Sequence, residues 1–168
     1  MADYAPAWIE IGGPLPRELV QGLLDCIRAH GLSDDFGGSP IKAVSADDLL
    51  ELAQDADGHV DTLKLYDERA HNGQFDNLEW FLEQHDIGFD RHGDGVAEFS
   101  PEVVRFRPGW PAPTVTLTDG MGREMIQTEY IVEALQMLRA GDLAKAITFL
   151  AQLANEGVPP LQPLSFSD

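Results

Sequence analysis

Residues 60–90 read VDTLKLYDERAHNGQFDNLEWFLEQHDIGFD, and this stretch decides the fold. Apolar and polar residues alternate over residues 60–66, which indicates a strand with one buried face. An Asn72-Gly73 turn then leads into residues 75–85, where the apolar residues take the spacing of a helix. A short strand follows at residues 87–90. The stretch therefore predicts a strand–helix–strand unit.

The residues before this stretch predict one strand and two helices. The strand lies at residues 8–11, and the first helix is expected at residues 16–30. Ser45 is followed three residues later by Asp48, which is the pattern of a capping box. We therefore expect a second helix to begin there and to end at about Asp55.

The residues after this stretch predict a hairpin, two more strands and two helices. The hairpin would join residues 87–90 to a strand at 96–100. The other expected elements are strands at 103–106 and 115–117, a proline-rich connector at 108–113, and helices at 122–139 and 142–155.

The order strand, helix, helix, strand, helix, hairpin predicts an α+β fold. It resembles the split βαβ arrangement of ferredoxin-like sandwiches, extended by an antiparallel hairpin and followed by an appended C-terminal helical hairpin. We expect residues 1–168 to form a single domain. Its parts would be an acidic α/β part at 1–118, the C-terminal helical hairpin at 119–156 and an extended tail at 157–168.

The last two expected helices are rich in apolar residues. Apolar side chains cover most of the circumference at residues 124–138, so we expect that helix to be buried on several sides. With the Gly141-Asp142 turn and Lys145-Ala146-Ile147, the pair is similar to one helical hairpin of a tetratricopeptide array, over about 34 residues. Such hairpins need about three copies to form a core, so no family function is carried over. The pair is instead a candidate subunit interface, through which a homo-oligomer is possible.

The charge of the chain is strongly acidic and unevenly distributed. The 168 residues include 11 Lys and Arg against 29 Asp and Glu, a formal net charge of −18. Residues 1–102 carry −16 of this charge and residues 103–168 carry −2. Nucleic acids and anionic membranes are bound by basic residues that neutralise phosphates, so we expect neither as a direct partner. A basic protein surface is the partner that this charge favours.

The cysteine content and the apolar runs bear on location. Cys26 is the single cysteine, so no intramolecular disulfide asks for an oxidising compartment. The first residues lack the pattern of a signal peptide, and no apolar run approaches the 18 to 20 residues of a membrane span. We therefore expect a cytoplasmic protein.

No motif in the sequence demands a catalytic residue, a cofactor or a metal. Residues 90–95 resemble the start of a calcium loop, with Asp90, His92 and Asp94 at alternate positions. His92 supplies a nitrogen where an oxygen is wanted, and Pro101 stands where the bidentate Glu belongs. We expect no metal site there, and the sequence favours a protein that is not an enzyme while leaving that question open.

The leading hypothesis is a non-enzymatic acidic protein that binds a basic protein surface. Its narrower form is a nucleic-acid mimic that inhibits a DNA- or RNA-binding complex of restriction or CRISPR type. Trp80 lies about 200° around its helix from Leu78, among carboxylates, as an aromatic anchor would. It would alternatively belong to a second core layer. The candidate partner-binding residues are Asp34, Asp35, Asp47, Asp48, Glu51, Asp76, Trp80 and Glu83.

Two other classes of function remain open. One is a small-molecule or phosphate-ligand binding domain, which would also allow an enzyme, with a glycine turn and scarce arginines as the anion site. The other is a structural subunit that assembles through the C-terminal helices. The candidate anion-binding residues are Gly120, Gly122, Arg123, Arg105 and Arg107.

Overall fold

A computed structural model describes residues 3–95 and 100–167 of the chain. Over these residues the fold is α+β, as the sequence predicts, with five α-helices and a five-stranded antiparallel sheet. Two short strands form a separate parallel pair, and a 3₁₀ turn at Arg17–Leu19 precedes the first helix. The strand expected at residues 96–100 lies outside the described residues, except for Ser100, which is not in a strand.

The bounds of most elements lie within a few residues of those expected. The strands are β1 (Tyr4–Gly12), β2 (Pro14–Pro16), β3 (Leu63–His71), β4 (Gly88–Gly93), β5 (Glu102–Phe106), β6 (Thr114–Leu117) and β7 (Ser165–Ser167). The helices are α1 (Val20–His30), α2 (Ala46–Leu52), α3 (Asp76–Gln84), α4 (Thr128–Arg139) and α5 (Leu143–Leu153).

The five-stranded sheet has the order β3-β1-β4-β5-β6, with every neighbouring pair antiparallel. β3 and β4 lie on either side of β1 and are joined by α3, so the strand–helix–strand unit of residues 60–90 is split by β1. The ferredoxin-like arrangement is not confirmed. β1 returns through α1 and α2 directly into its neighbour β3, whereas a ferredoxin-like sheet would need that connection to skip a strand.

One face of the sheet and the helices α1, α2 and α3 enclose the core. Ile9 pairs with Leu65 across β1 and β3, Ile11 pairs with Phe89 across β1 and β4, and all four side chains are buried. α1 and α3 pack against each other over this face. Their close approach requires Gly22, because a Cβ at that position would lie 2.7 Å from the ring of Phe81. The apolar alternation read from the sequence is therefore the core face.

A buried arginine interrupts this apolar face. Arg91 of β4 is 2% exposed. Its Nη1 donates to the carbonyl of Gly73 at 2.9 Å, and its Nη2 donates to Oε1 of Glu102 at 2.5 Å. Its Nε lies 3.1 Å from Oε1 of Glu79, which also accepts the backbone N–H of Phe75. Arg91 therefore joins the beginning of α3 to the sheet.

Replacing Arg91 by Ala should lower the free energy of unfolding by about 3–5 kcal/mol, because two carboxylates would lose their buried counter-charge. Urea denaturation followed by circular dichroism measures the change. Arg123→Ala is the control, since Arg123 forms an exposed ion pair with Asp119 and should cost less than about 1 kcal/mol. Equal losses in the two variants would contradict this role of Arg91.

The C-terminal tail packs on the body through backbone contacts. Gly13 donates to the carbonyl of Gln162 at 2.9 Å, and Ser165 donates to the carbonyl of Gly13 at 3.1 Å. β7 pairs in parallel with β2, and Leu164 is buried. Neither strand was predicted from the sequence, because three residues are too few to show a periodic pattern.

Gly12 is the position on which this packing depends. A Cβ at Gly12 would lie 2.2 Å from the carbonyl oxygen of Gln162. We expect Gly12→Ala to displace the tail, with a loss of stability of about 1–3 kcal/mol from overpacking. Amide hydrogen exchange at Leu164 and Ser165 should become faster. Gly120→Ala is the control, because nothing lies within 4 Å of a Cβ there, and unchanged exchange in Gly12→Ala would refute the prediction.

Two expectations about the last helices are wrong. α4 begins at Thr128 and not at Gly122, because Gly120 and Gly122 belong to a turn closed by Asp119. α4 is also not buried on several sides. Ala134 is its one buried residue and Met137 is half-buried, since the helix packs mainly on α5 and leaves its other large apolar side chains exposed.

Candidate functional site

The residues that precede α2 form the wall of an open groove. Ser45 caps α2 by accepting the N–H of Asp48, and the Asp48 carboxylate accepts the N–H of Ser45, which confirms the predicted capping box. The preceding loop is held by two contacts: Ile41 donates to the carbonyl of Leu32 at 2.9 Å, and Arg28 donates to the carbonyl of Ala43 at 3.1 Å. The groove between loop and helix encloses about 540 Å³.

The groove combines an apolar lining with acidic side chains. Its apolar lining comes from Pro40, Ile41, Ala43, Val44 and Leu52. Asp34, Asp48 and Glu51 also line it, and Lys42 is the one cation among the lining residues. Hydrogen bonds from the backbone N–H of Val44 and from Ser45 lower the pKa of Asp48. Asp48 therefore stays ionised and serves the helix cap as well as the groove.

The candidate partner-binding residues divide into two groups. Asp34, Asp48 and Glu51 converge on the groove. Asp35 and Asp47 are exposed nearby but do not line it; the Asp35 carboxylate accepts the backbone N–H of Phe36.

The second group lies on α3, which packs on α1, whereas α2 packs on β3. Trp80 is 63% exposed, so the second core layer considered from the sequence is not present over this side chain. Asp76 is exposed beside it in the helix, and Glu83 is half-buried. Burial, with the charge of Glu79, raises the pKa of Glu83.

The three arginines of the alternative anion site each contact a carboxylate. Arg105 donates to Glu124, and Arg123 donates from Nε to Asp119 at 2.7 Å. Arg107 is 5% exposed and makes a bidentate pair with Asp90, at 2.6 and 3.1 Å.

At the glycine turn of the same candidate site, a side chain of the protein itself accepts the backbone N–H groups that were expected to bind the anion. The backbone N–H groups of Met121 and Arg123 both point at Oδ1 of Asp119. Hydrogen bonds from Arg123 lower the pKa of Asp119. The structure thus places a carboxylate of the chain where the anion was expected, and it separates Arg107 from this turn by pairing it with Asp90.

One group of side chains has the spacing of metal ligands. Ligand atoms of Asp55, Asp57 and His59 lie within 4.8 Å of one another on an exposed turn. Oδ1 of Asp55 already accepts the N–H groups of Asp57 and His59, which is ordinary turn geometry. These are residues that could hold a cation, and nothing else about the turn points to one.

A row of aromatic side chains lies on the sheet face away from the core. Trp8 is paired with Tyr66 on one side and with His92 on the other. The His92 ring stacks on Trp8 with centroids 3.7 Å apart, and Phe36 lies 4.7 Å from Tyr66. The sequence pattern did not predict this row. The available signal was that Trp8 and Tyr66 alternate with buried residues on strands whose pairing was unknown.

Burial of the ring lowers the pKa of His92 from 6.5 to about 4, against the opposing charge of Asp90. Below pH 6.5 the unfolded chain therefore binds a proton at this residue that the folded chain does not, and stability falls until about pH 4. We expect a loss of about 1–2 kcal/mol over this range, since solvent screens the partly exposed ring. Urea denaturation of the native chain and of His92→Phe, which keeps the stacking, measures it. If the two lose stability in parallel between pH 7 and pH 4, the effect does not come from His92.

Comparison with protein-family models, with curated proteins and with solved structures finds no match to this chain. Within residues 3–95 and 100–167, no helix combines the length and the apolar character needed to cross a membrane.

Proposed function

We propose that this chain is a non-enzymatic interaction protein and that the groove beside α2 binds a basic segment of another protein. The observation that carries the proposal is the convergence of Asp34, Asp48 and Glu51 on a groove with an apolar lining. These carboxylates come from a loop and from a helix that are separate in sequence.

The chemistry of the groove suits the side chains of Lys and Arg. Each has an apolar stem and a cationic head, so it can cover an apolar surface while its charge stays near water. Ile41 and Leu52 offer such a surface, and Asp34 and Glu51 are exposed carboxylates beside it. A basic segment would thus find both kinds of contact in one place.

The charge of the whole chain supports the same partner. The net charge of −18 gives an attractive field that raises the rate of encounter with a basic surface. Exposed charge pairs are screened by salt, with a Debye length of about 10 Å at 0.1 M and about 4 Å at 0.5 M. Binding that rests on the groove should therefore weaken steeply as salt is added.

Trp80 supports a second point of contact. Large aromatic side chains often supply much of the binding energy at protein interfaces, where a polar rim excludes water around them. Trp80 is exposed on α3 with Asp76 in the same helix. A partner large enough to reach both α2 and α3 would use this side chain as an apolar anchor.

A nucleic-acid mimic is the narrower form of the proposal. It requires that the basic partner normally binds DNA or RNA, as in restriction or CRISPR complexes, and that the acidic side chains replace the phosphates. Competition by duplex DNA or by RNA for the same partner would distinguish this form from a protein-only interaction.

The test is capture of partners from cell lysate by the tagged chain at about 50 mM and about 500 mM salt. We expect a stoichiometric basic protein that is recovered at the lower salt only. Asp34→Lys with Glu51→Lys should reduce its recovery at least about tenfold, since two attractive contacts become repulsive. Asp48 is left unchanged because it caps α2.

The matched control is Glu129→Lys with Glu133→Lys, which makes the same change of charge on α4. Equal loss of recovery in the two double variants would mean that net charge alone matters and would contradict a role for the groove. Trp80→Ala tests the second contact. We expect it to reduce recovery of the partner at the lower salt without changing how steeply recovery falls as salt is added. Recovery of no basic protein at either salt would refute the proposal.

A further inference from the structure

The hairpin of α4 and α5 exposes apolar side chains that a single chain does not cover. Within the described residues, exposed large apolar side chains are concentrated between 121 and 147. In the two helices the fully buried residues are Ala134 and Ala146, where the helices meet. The hairpin is therefore a two-helix layer in which seven large apolar side chains are 39–60% exposed.

Most of the exposed apolar side chains of the two helices lie on the same side of this layer, whereas Tyr130 and Val132 of α4 lie elsewhere, about −40° and 160° from Ala134. At 100° per residue, Leu138, Ile131 and Leu135 follow Ala134 by about 40°, 60° and 100° around α4. On α5, Leu150, Leu143 and Ile147 follow Ala146 by the same angles in the same sense. Since the helices run antiparallel, equal rotation in the same sense turns both sets to one side. Of these residues of α5, Leu143 and Ile147 are exposed and Leu150 is half-buried.

The charged side chains of the hairpin lie mainly on its opposite side, but Arg139 lies about 140° from Ala134 in the same sense as Leu135 and borders the apolar side. Glu133 lies about 100° from Ala134 in the other sense, and Lys145 lies about 100° from Ala146 in the other sense. Glu129 is on the same side as Glu133. The apolar side, which we call the hairpin face, is thus defined by Ile131, Leu135, Leu138, Leu143, Ile147 and Leu150, with Arg139 at its edge.

The charge distribution says what can cover the hairpin face. Residues 128–153 contain three acidic and two basic residues, a net charge of −1, whereas residues 1–102 carry −16. Two copies of so acidic a chain repel each other over most of their surface, but not here. An uncharged apolar face is also complementary to itself, which a two-fold interface requires. Two such layers stacked face to face form the core of a four-helix bundle.

We propose that two copies of this chain associate through the hairpin face, so that α4 and α5 of both copies form a four-helix bundle. The interface is apolar, and the acidic surfaces of the two copies point away from it. The dimer therefore forms at low and at high salt. It does not depend on the groove beside α2.

Sedimentation velocity of the full chain between about 1 and 100 µM tests the proposal. We expect a mass of about twice 18.4 kDa at the upper concentrations, both at about 50 mM and at about 500 mM salt. Leu135→Asp with Ile147→Asp should halve this mass. Tyr4→Asp is the matched control, because Tyr4 is 51% exposed on β1 but lies outside the hairpin face and the groove, and it should leave the mass unchanged.

Circular dichroism and the urea midpoint show whether the double variant folds. If it does not, Leu143→Asp takes its place, since Leu143 is 60% exposed at the first residue of α5, where a carboxylate is favoured. That variant should raise the dissociation constant at least about tenfold. A native chain that stays monomeric to 100 µM would overturn the proposal, and so would a dimer that these variants leave intact. Binding of lipid vesicles or of an unrelated protein by a monomeric chain would assign the hairpin face to another partner.

Discussion

β1 is the strand on which the rest of the structure depends, because it is hydrogen-bonded on both sides, to β3 and to β4. Its alternation sends Ile9 and Ile11 to the helices and sends Trp8 and Glu10 to the opposite face. A shift of one residue in its pairing would exchange these sets and place a carboxylate in the core. The same pairing brings His92 beside Trp8, so the aromatic row is a consequence of the register that the core requires.

Two of the few basic residues of the chain are buried, and their burial leaves the surface more acidic. Arg91 and Arg107 are buried and each contacts carboxylates and backbone carbonyls inside the fold. Cations that join elements internally are not present at the surface to offset Asp34 and Glu51. Because these two arginines stabilise the interior, they do not neutralise the acidic groove. Lys42 is the one cation among the residues that line the groove.

The parts of the fold that sequence reasoning predicted are those governed by near neighbours. Ser45 and Asp48 form the expected capping box. Helical spacing places Trp80 away from the apolar side of α3, but only the structure shows that the side chain is exposed and not part of a second core layer. The same reasoning failed for α4. Apolar residues around most of a helix indicate that something covers them, but they do not say whether the cover is the same chain. In the structure Ala134 is the one buried residue of this helix, and five of its large apolar side chains are 39–47% exposed.

The sequence by itself determined the alternation of the strands, the helix cap and the concentration of negative charge, because each depends on residues a few positions apart or on composition. The tertiary structure decided which carboxylates converge and which arginines are buried. Arg107 donates to the carbonyl of Pro159, 52 residues away, and Asp34 and Glu51 line the same groove only because of the way the chain between them folds. Such contacts depend on how strands pair and helices pack, and local patterns do not carry that information.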